Sequence, residues 1–83
     1  MDRAVTEGVT EIVRGILRRK GVVGPLDTLR LLRDGHLDSM DVVNLVAQCE
    51  QRFHVRFAPE DFDEAVMDSF SEICQRVETR LAR

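Results

Sequence analysis

Tryptophan and tyrosine are absent from this 83-residue sequence, and its only phenyl side chains are four phenylalanines. No apolar run reaches the length of a signal peptide or of a membrane-spanning helix. No stretch alternates apolar and polar residues cleanly enough for a half-buried strand, whereas helix-forming residues dominate. We therefore expect a soluble cytoplasmic protein of the all-α class, folded as a single domain over residues 1–83.

Cysteine and histidine are scarce, with two of each: Cys49 and Cys74, His36 and His54. Their spacing matches no metal site, and neither histidine has a plausible nucleophile partner in the sequence. Each cysteine lies on the predicted core side of its helix, which favours a buried, reduced thiol over a disulfide or a reactive pair. Each histidine lies in a connecting or terminal segment and is expected to face solvent. The sequence therefore predicts a protein that is not an enzyme.

The chain is short, and a domain of this size removes only about 60 to 65 per cent of its unfolded surface from water. A large enclosed active-site cleft is not expected. The formal net charge of −3 is unevenly divided: residues 1–33 have seven Arg and Lys against four acids, and residues 34–83 have eleven acids against five Arg. This balance argues against nucleic acid as the partner of the second half.

A first helix is predicted from about Asp2 to Lys20, because apolar residues recur at the spacing of one helical face. These residues are Val5, Val9, Ile12, Val13, Ile16 and Leu17. Basic residues near its end complement the helix dipole, and Gly21 can adopt the left-handed conformation that closes a helix. Gly8 and Gly15 each weaken the helix by about 1 kcal/mol relative to alanine, and the sequence gives no reason for either.

A long connection is predicted between Gly21 and Leu37, where two Gly-containing pairs break any helical pattern. Four leucines pin it to the core: Leu26, Leu29, Leu31 and Leu32. One helical turn is expected near Asp27 to Arg33, and the alternative is a further full helix in this segment. Long ordered loops in small domains are often functional.

A second helix is predicted from Ser39 to about Phe53. Asp38 is placed to cap it with Asp41 in the reciprocal position, and Leu37 and Val42 fit a hydrophobic staple across its start. At about 100° per residue, the core face consists of Val42, Leu45, Val46, Cys49 and Phe53.

Ser39 is the most informative residue, because its neighbours leave its hydroxyl without a capping role. As the first helical residue it points outward at the positive end of the helix dipole. A phosphate ester there would be stabilised by the dipole and by free amides of the first turn. The alternative is that Ser39 is simply a tolerated small polar residue.

The second helix also has apolar residues that its own core does not explain. Met40 and Ala47 fall roughly opposite the core face, and Val43 lies on the flank between them and Ser39. A short apolar strip beginning next to Ser39 suggests a contact surface for transient partners. The alternative is that these residues pack under the long loop or against the third helix.

A short third helix is predicted to begin at Pro59, which suits a first helical position and is followed by two acids. The preceding residues, 54–57, are expected to be extended. Phe57 and Phe62 are expected to anchor the core.

A final helix is predicted to begin at Ser69, which forms a Ser-x-x-Glu capping box with Glu72. Arg80 and Arg83 complement the negative end of its dipole. Its buried stripe is expected to consist of Phe70, Ile73, Cys74, Val77 and Leu81.

With Asp38-Ser39-Met40 at its centre, an Asp34-Gly35 pair upstream and an amphipathic helix downstream, the chain resembles the acyl carrier and peptidyl carrier protein family. The resemblance covers nearly the whole chain. It implies a four-helix bundle with a long loop between helices 1 and 2 and a short helix 3. The motif is most similar to D-alanyl carrier proteins and to stand-alone carriers of secondary metabolism.

The resemblance implies that Ser39 receives 4'-phosphopantetheine from coenzyme A, that Asp38 matches the aspartate ahead of it, and that Met40 is contacted by modifying enzymes. The arm would hold acyl or aminoacyl groups as thioesters and present them to partner enzymes. The implied partners are a phosphopantetheinyl transferase, a loading ligase or adenylation enzyme, and an acyltransferase, synthase or thioesterase. A monomer is expected, with partners binding at Met40, Val43, Asn44 and Ala47.

One departure from the family concerns charge. Carrier proteins of fatty acid synthesis usually display several acids along the second helix, whereas here only Asp41 and Glu50 lie inside it. Electrostatic steering of basic partners should be weaker, and no particular cargo is predicted.

Two other functions use the same residues. A helical adaptor with a carrier-like fold and no prosthetic group would share the apolar strip but would have no need of Asp38 and Ser39. A phosphoserine switch is also conceivable, because phosphate is favourable at a helix start. A calcium loop does not fit, since Ser39 stands where glycine is needed and Leu45 where the bidentate glutamate is needed.

Overall fold

A computed structural model describes residues 2–82 of the chain and contains no strand among them. Four α-helices lie within these residues: α1 (Arg3–Arg19), α2 (Ser39–Phe53), α3 (Glu64–Met67) and α4 (Phe70–Leu81). Two 3₁₀ turns, Leu26–Thr28 and Pro59–Phe62, lie in the connections. The all-α class and the four-helix arrangement with a short third helix are confirmed.

Helix α1 has the predicted ends. The Asp2 carboxylate accepts a hydrogen bond of 2.8 Å from the amide of Ala4, and Lys20 closes the helix. Gly21 follows with a φ of 75°, a left-handed conformation that glycine adopts without strain. All six residues of the predicted apolar face are buried.

Helices α1 and α2 run antiparallel. Lys20 at the end of α1 pairs with Asp41 at the start of α2, and Glu11 pairs with Arg52 near the end of α2 at 3.3 Å. The core between α1, α2 and α4 includes both cysteines, which are buried free thiols as predicted.

Gly8 has a packing role that the sequence did not reveal. It is buried on α1 against the ring of Phe53, and a Cβ built at Gly8 would overlap Cζ of that ring. A Cβ at Gly15 would meet nothing within 4 Å. The small residue at position 8 therefore lets α1 approach the end of α2.

The long connection is confirmed, and no full helix forms within it. Leu26 and Leu31 are buried, while Leu29 and Leu32 pack against the core from its edge. The predicted turn is displaced: one 3₁₀ turn occupies Leu26–Thr28, and separate hydrogen-bonded turns follow from residue 30 to residue 35.

Asp68 holds this connection to the other side of the molecule. Its carboxylate accepts hydrogen bonds from the amides of Leu32 at 2.8 Å and Arg33 at 2.9 Å, and its carbonyl accepts from Leu31 at 2.9 Å. The carbonyl of Leu31 in turn accepts from the amide of Leu37, just before α2, at 2.8 Å. Asp68, through its side chain and its carbonyl, therefore fixes the path of the chain that leads to Ser39.

The predicted core position of Phe62 is wrong, because its side chain is 47% exposed. The inward position of the 3₁₀ turn is taken by Asp61, whose carboxylate is fully buried and binds Arg76 at 3.0 Å and Arg80 at 2.7 Å. A 3₁₀ turn repeats every three residues, so the residue next to Asp61 faces outward. Phe57 packs against the core as expected.

The predicted short helix is divided. The 3₁₀ turn at Pro59–Phe62 is followed by Asp63, whose carboxylate caps α3 by accepting from the amide of Ala65 at 2.8 Å. Helix α3 is then a single α-helical turn, and it ends at the tightly bound Asp68.

Two details of α4 differ from the prediction. Ser69 caps it by accepting from the amide of Glu72 at 3.3 Å, but the reciprocal bond is missing because the Ser69 amide donates to the carbonyl of Val66. Leu81 is 45% exposed: the Asp2 amide meets the carboxylate of Glu78, so α4 extends past the level at which α1 begins. Arg80 lies in the last turn of α4 as predicted, and it also binds the carboxylate of Asp61.

The remaining predictions concern isolated residues. Arg83 lies outside the described residues. His54 is exposed as predicted and ends α2 in a left-handed conformation, whereas His36 is half-buried in the connection.

Candidate functional site

Ser39 is exposed and is the first residue of α2, as the sequence predicted. The capping box forms in both directions: Asp38 accepts from the Asp41 amide at 2.9 Å, and Asp41 accepts from the Asp38 amide at 3.0 Å. Leu37 is buried and Val42 half-buried at this end of the core, in the positions of a hydrophobic staple. The start of α2 is therefore fixed without any contribution from Ser39.

A comparison of hydroxyl groups separates Ser39 from most others in the described chain. The hydroxyls of the four threonines donate to backbone carbonyls, and the hydroxyl of Ser69 accepts from the amide of Glu72 as the cap of α4. Only the hydroxyls of Ser39 and Ser71 have no hydrogen bond to a described residue. These two are the serines free for covalent modification.

The surroundings of Ser39 and Ser71 differ. Ser71 lies between Phe70 and Glu72 in the first turn of α4, without an aspartate before it or an apolar residue after it. Ser39 has both, and it also lines a cleft. Its position thus has more of the features expected of a modification site.

The cleft beside Ser39 has a volume of about 350 Å³ and lies between the start of α2 and the α3 segment. Leu37 and Val42 line it from the start of α2, and Phe62, Glu64 and Met67 line it from α3 and the turn before α3. Phe62 and Glu64 were missed as site residues, because Phe62 was expected in the core and only the fold brings Glu64 near Ser39. A flexible group attached at Ser39 could lie along this partly apolar surface.

The first turn of α2 combines the positive end of a helix dipole with an ion pair. The amides of Ser39 and Met40 donate to no described residue, so the positive end of the helix dipole is open there. Lys20 binds the carboxylate of Asp41, and this hydrogen bond lowers the pKa of Asp41 and raises that of Lys20. The sequence placed Lys20 only as a residue suited to the dipole of α1; its contact with α2 depends on the antiparallel packing.

The apolar strip next to Ser39 faces solvent as predicted. Met40 is 73% exposed, Val43 is 59% exposed, and Ala47 is exposed one turn further along. Asn44 is half-buried at the edge of the strip, where its side-chain oxygen accepts from Gln48 at 3.1 Å. The alternative of packing under the loop or against α3 is wrong.

Residues 2–82 contain no group of three His, Cys, Asp or Glu side chains arranged to hold a metal ion. Within the same range, no helix combines the length and the hydropathy needed to cross a bilayer.

Comparison with known proteins agrees with this geometry. Residues 7–77 match the family model described as "Phosphopantetheine attachment site". The chain therefore belongs to the phosphopantetheine-binding carrier family, whose members are non-catalytic carriers with covalently attached 4'-phosphopantetheine. Among named proteins, the chain is similar to the D-alanyl carrier protein of Lacticaseibacillus casei (strain BL23), with 32% identity over 77 residues, covering 93% of this chain and 94% of the relative.

Proposed function

We propose that Ser39 is the attachment site of 4'-phosphopantetheine and that the chain tethers acyl or aminoacyl intermediates there. The observation that carries this proposal is an exposed hydroxyl, without a hydrogen bond to any described residue, at the open amino end of α2. A phosphodiester has one negative charge, which the free amides and dipole of the first turn would stabilise. Asp38, engaged in the cap, holds that turn in place.

The residues around Ser39 suit a long, flexible group. Bound through its phosphate, the group supplies a terminal thiol that accepts an acyl or aminoacyl cargo as a thioester. The chain itself positions the attachment oxygen and leaves a partly apolar cleft beside it. Tethering raises the effective concentration of the cargo at the active site of a partner enzyme.

Partner enzymes are proposed to bind the apolar strip of Met40, Val43 and Ala47, with Asn44 at its edge. The strip begins beside Ser39, so an enzyme bound there would have its active site near the attached group. Small, weak interfaces suit exchange among a phosphopantetheinyl transferase, a loading ligase or adenylation enzyme, and an acyltransferase, synthase or thioesterase. We place these encounters in the cytoplasm, with the carrier as a monomer.

Intact mass spectrometry tests the attachment site. Incubation with coenzyme A and a broad-specificity phosphopantetheinyl transferase should add the mass of one 4'-phosphopantetheine group. Ser39→Ala should abolish the addition, whereas Ser71→Ala, at the other free serine, should leave it intact. Addition to Ser39→Ala and its loss in Ser71→Ala would assign the site to Ser71. No addition to the unaltered chain would instead favour the adaptor without a prosthetic group.

The name of the relative suggests a first cargo. We propose an aminoacyl group, with D-alanine as the first candidate, because the similarity extends over almost the full length of both chains. A ligase that activates D-alanine should add one alanyl group to the modified protein, removable by hydroxylamine as expected for a thioester. Loading by a fatty acyl ligase, with none by the D-alanine ligase, would contradict this cargo.

A further inference from the structure

In the first turn of α2, Ser39 follows Asp38 directly and precedes Asp41 by two residues, so two carboxylates flank it along the chain. Both are committed to the capping box, so neither can be removed without loosening the turn. Coenzyme A is a polyanion, and the product of its reaction is a phosphodiester anion. The negative charge of the two flanking carboxylates opposes the approach of coenzyme A to the serine. It also opposes the formation of the phosphodiester anion.

Helix α1 supplies a compensating charge. Among the described residues, Lys20 is the one cation that contacts a carboxylate of this turn, through its ion pair with Asp41. After the hydrogen bond and the charge of Asp41, the charge of Asp38 is a further, smaller cause that raises the pKa of Lys20. One ammonium group from the end of α1 thus acts on both members of the capping box.

We propose that Lys20 is a positioning residue for the modification of Ser39: it offsets the capping-box carboxylates and makes the first turn of α2 receptive to a phosphate. This inference rests on Ser39 as the attachment site. In the transfer, the serine oxygen bonds to the phosphorus of the phosphopantetheine phosphate. The anhydride bond to adenosine 3',5'-bisphosphate breaks, and the hydroxyl proton passes to a base of the transferase or to solvent.

A purely structural role for Lys20 is the competing explanation. Its side chain is one-third exposed, and ion pairs of this kind contribute little to folding. The capping box, the staple and the buried core of α1 and α2 all remain when Lys20 is replaced. The fold should therefore survive, and the effect should be found in the modification rate.

The first test measures kcat/KM for the unmodified carrier with coenzyme A and a broad-specificity transferase. Lys20→Met should lower it about two- to tenfold, the range expected from one solvent-screened charge near the reacting group. Lys20→Arg should restore most of the rate, because the charge returns. Arg19→Met, a matched loss of charge one residue earlier, should change it less than twofold. Equal effects of Lys20→Met and Arg19→Met would overturn the assignment.

The second test needs no transferase. With phosphoserine installed at position 39, ³¹P NMR reports the second pKa of the phosphate, near 6 in an unperturbed peptide. Lys20→Met should raise that pKa by about 0.2 to 0.6 unit, and Lys20→Arg should reverse the change. The other charged or titratable groups at this end of the molecule are the same in all variants: Asp38 and Asp41 in the capping box, Glu64 in the cleft lining, and His36 three residues before the serine.

The mass-addition experiment on Ser39→Ala and the titration of the phosphoserine protein together separate the possible failures. If Ser39 is not the attachment site, the mass addition survives in Ser39→Ala, whatever the phosphoserine titration shows. If Ser39 is the site but Lys20 has no such role, the mass addition depends on Ser39 while the phosphate pKa is the same with Lys, Met or Arg at position 20. That second result would overturn this inference alone.

Discussion

At the scale of the residue, the two glycines of α1 illustrate how one substitution can have opposite effects. Gly15 faces open space, so Gly15→Ala should gain the helical preference of alanine and raise the free energy of unfolding by up to about 1 kcal/mol. In Gly8→Ala the new methyl group would overlap the ring of Phe53. We expect a net loss of about 1 to 2 kcal/mol.

Urea denaturation of both variants measures the difference. The sequence treats the two positions alike, since each is a glycine inside an amphipathic helix. A gain of stability in both variants would mean that the ring of Phe53 moves aside without cost, and that Gly8 does not set the spacing of α1 and α2.

The two thiols of the chain provide a prediction about reactivity. Burial raises the pKa of Cys49 to about 12 and that of Cys74 to about 11. At pH 8 the reactive thiolate is then about one part in a thousand or less of either residue. The unmodified protein should therefore give no fast reaction with Ellman's reagent, whereas the denatured chain should show two thiols.

The same assay reports on the proposed arm. After treatment with transferase and coenzyme A, one fast-reacting thiol should be found per chain, and Ser39→Ala should show none. A fast thiol in the untreated native protein would contradict the burial of the cysteines. The two cysteine thiols would therefore not exchange with the thiol or the thioester of the arm.

At the scale of the element, the cluster of Asp61 with Arg76 and Arg80 joins the 3₁₀ turn before α3 to α4. The Asp61 carboxylate is fully buried, and the hydrogen bond from Arg80 is the main cause that lowers its pKa to about 2. Asp61→Asn leaves two arginines without their shared anion and should cost about 2 to 4 kcal/mol. Glu60→Gln, at an exposed residue 3.7 Å from Arg80, should cost less than about 0.5 kcal/mol.

The pH dependence follows from the sign of the shift. Because the folded-state pKa of Asp61 is lower than its ordinary value of 3.8, its stabilising effect is complete above about pH 4. The effect is lost as the pH falls toward 2. Urea unfolding of the wild type and of Asp61→Asn should therefore differ at pH 7 and converge near pH 2. A difference that stays constant over this range would mean that the charge of Asp61 is not what stabilises the joint.

The elements that could be predicted from the sequence are those whose signals are local. The limits of α1 and α2 follow from caps and from the 3.6-residue apolar period, and Ser39 follows from the residues on either side of it. The contacts of Asp61, Asp68 and Lys20 could not be predicted, because each residue binds an element that is distant in sequence. The error at Phe62 has the same origin: an apolar residue beside an acid suggests the opposite burial until the two arginines of α4 are in place.

At the scale of the whole molecule, the acidic composition overstates the negative charge that partners meet near Ser39. Asp61 is buried between two arginines, Asp68 is engaged by backbone amides, and Asp41 is paired with Lys20. The outer side of α2 is apolar and amide-rich rather than acidic. Partner binding at this face should accordingly depend more on apolar contact than on long-range steering, and should vary little with salt.

That conclusion leads to a prediction about which face partners use. Met40→Glu and Val43→Glu place a charge in the exposed strip and should reduce modification by the transferase and loading by a ligase at least tenfold, as at the centre of a small interface. Val23→Glu is the matched control, since Val23 is 84% exposed in the loop after α1 and should leave both rates unchanged. Helical circular dichroism should be the same for all three variants. Equal losses in all three, or unfolding of Met40→Glu and Val43→Glu, would contradict a partner surface on α2, because the strip would then act through net charge or through the core.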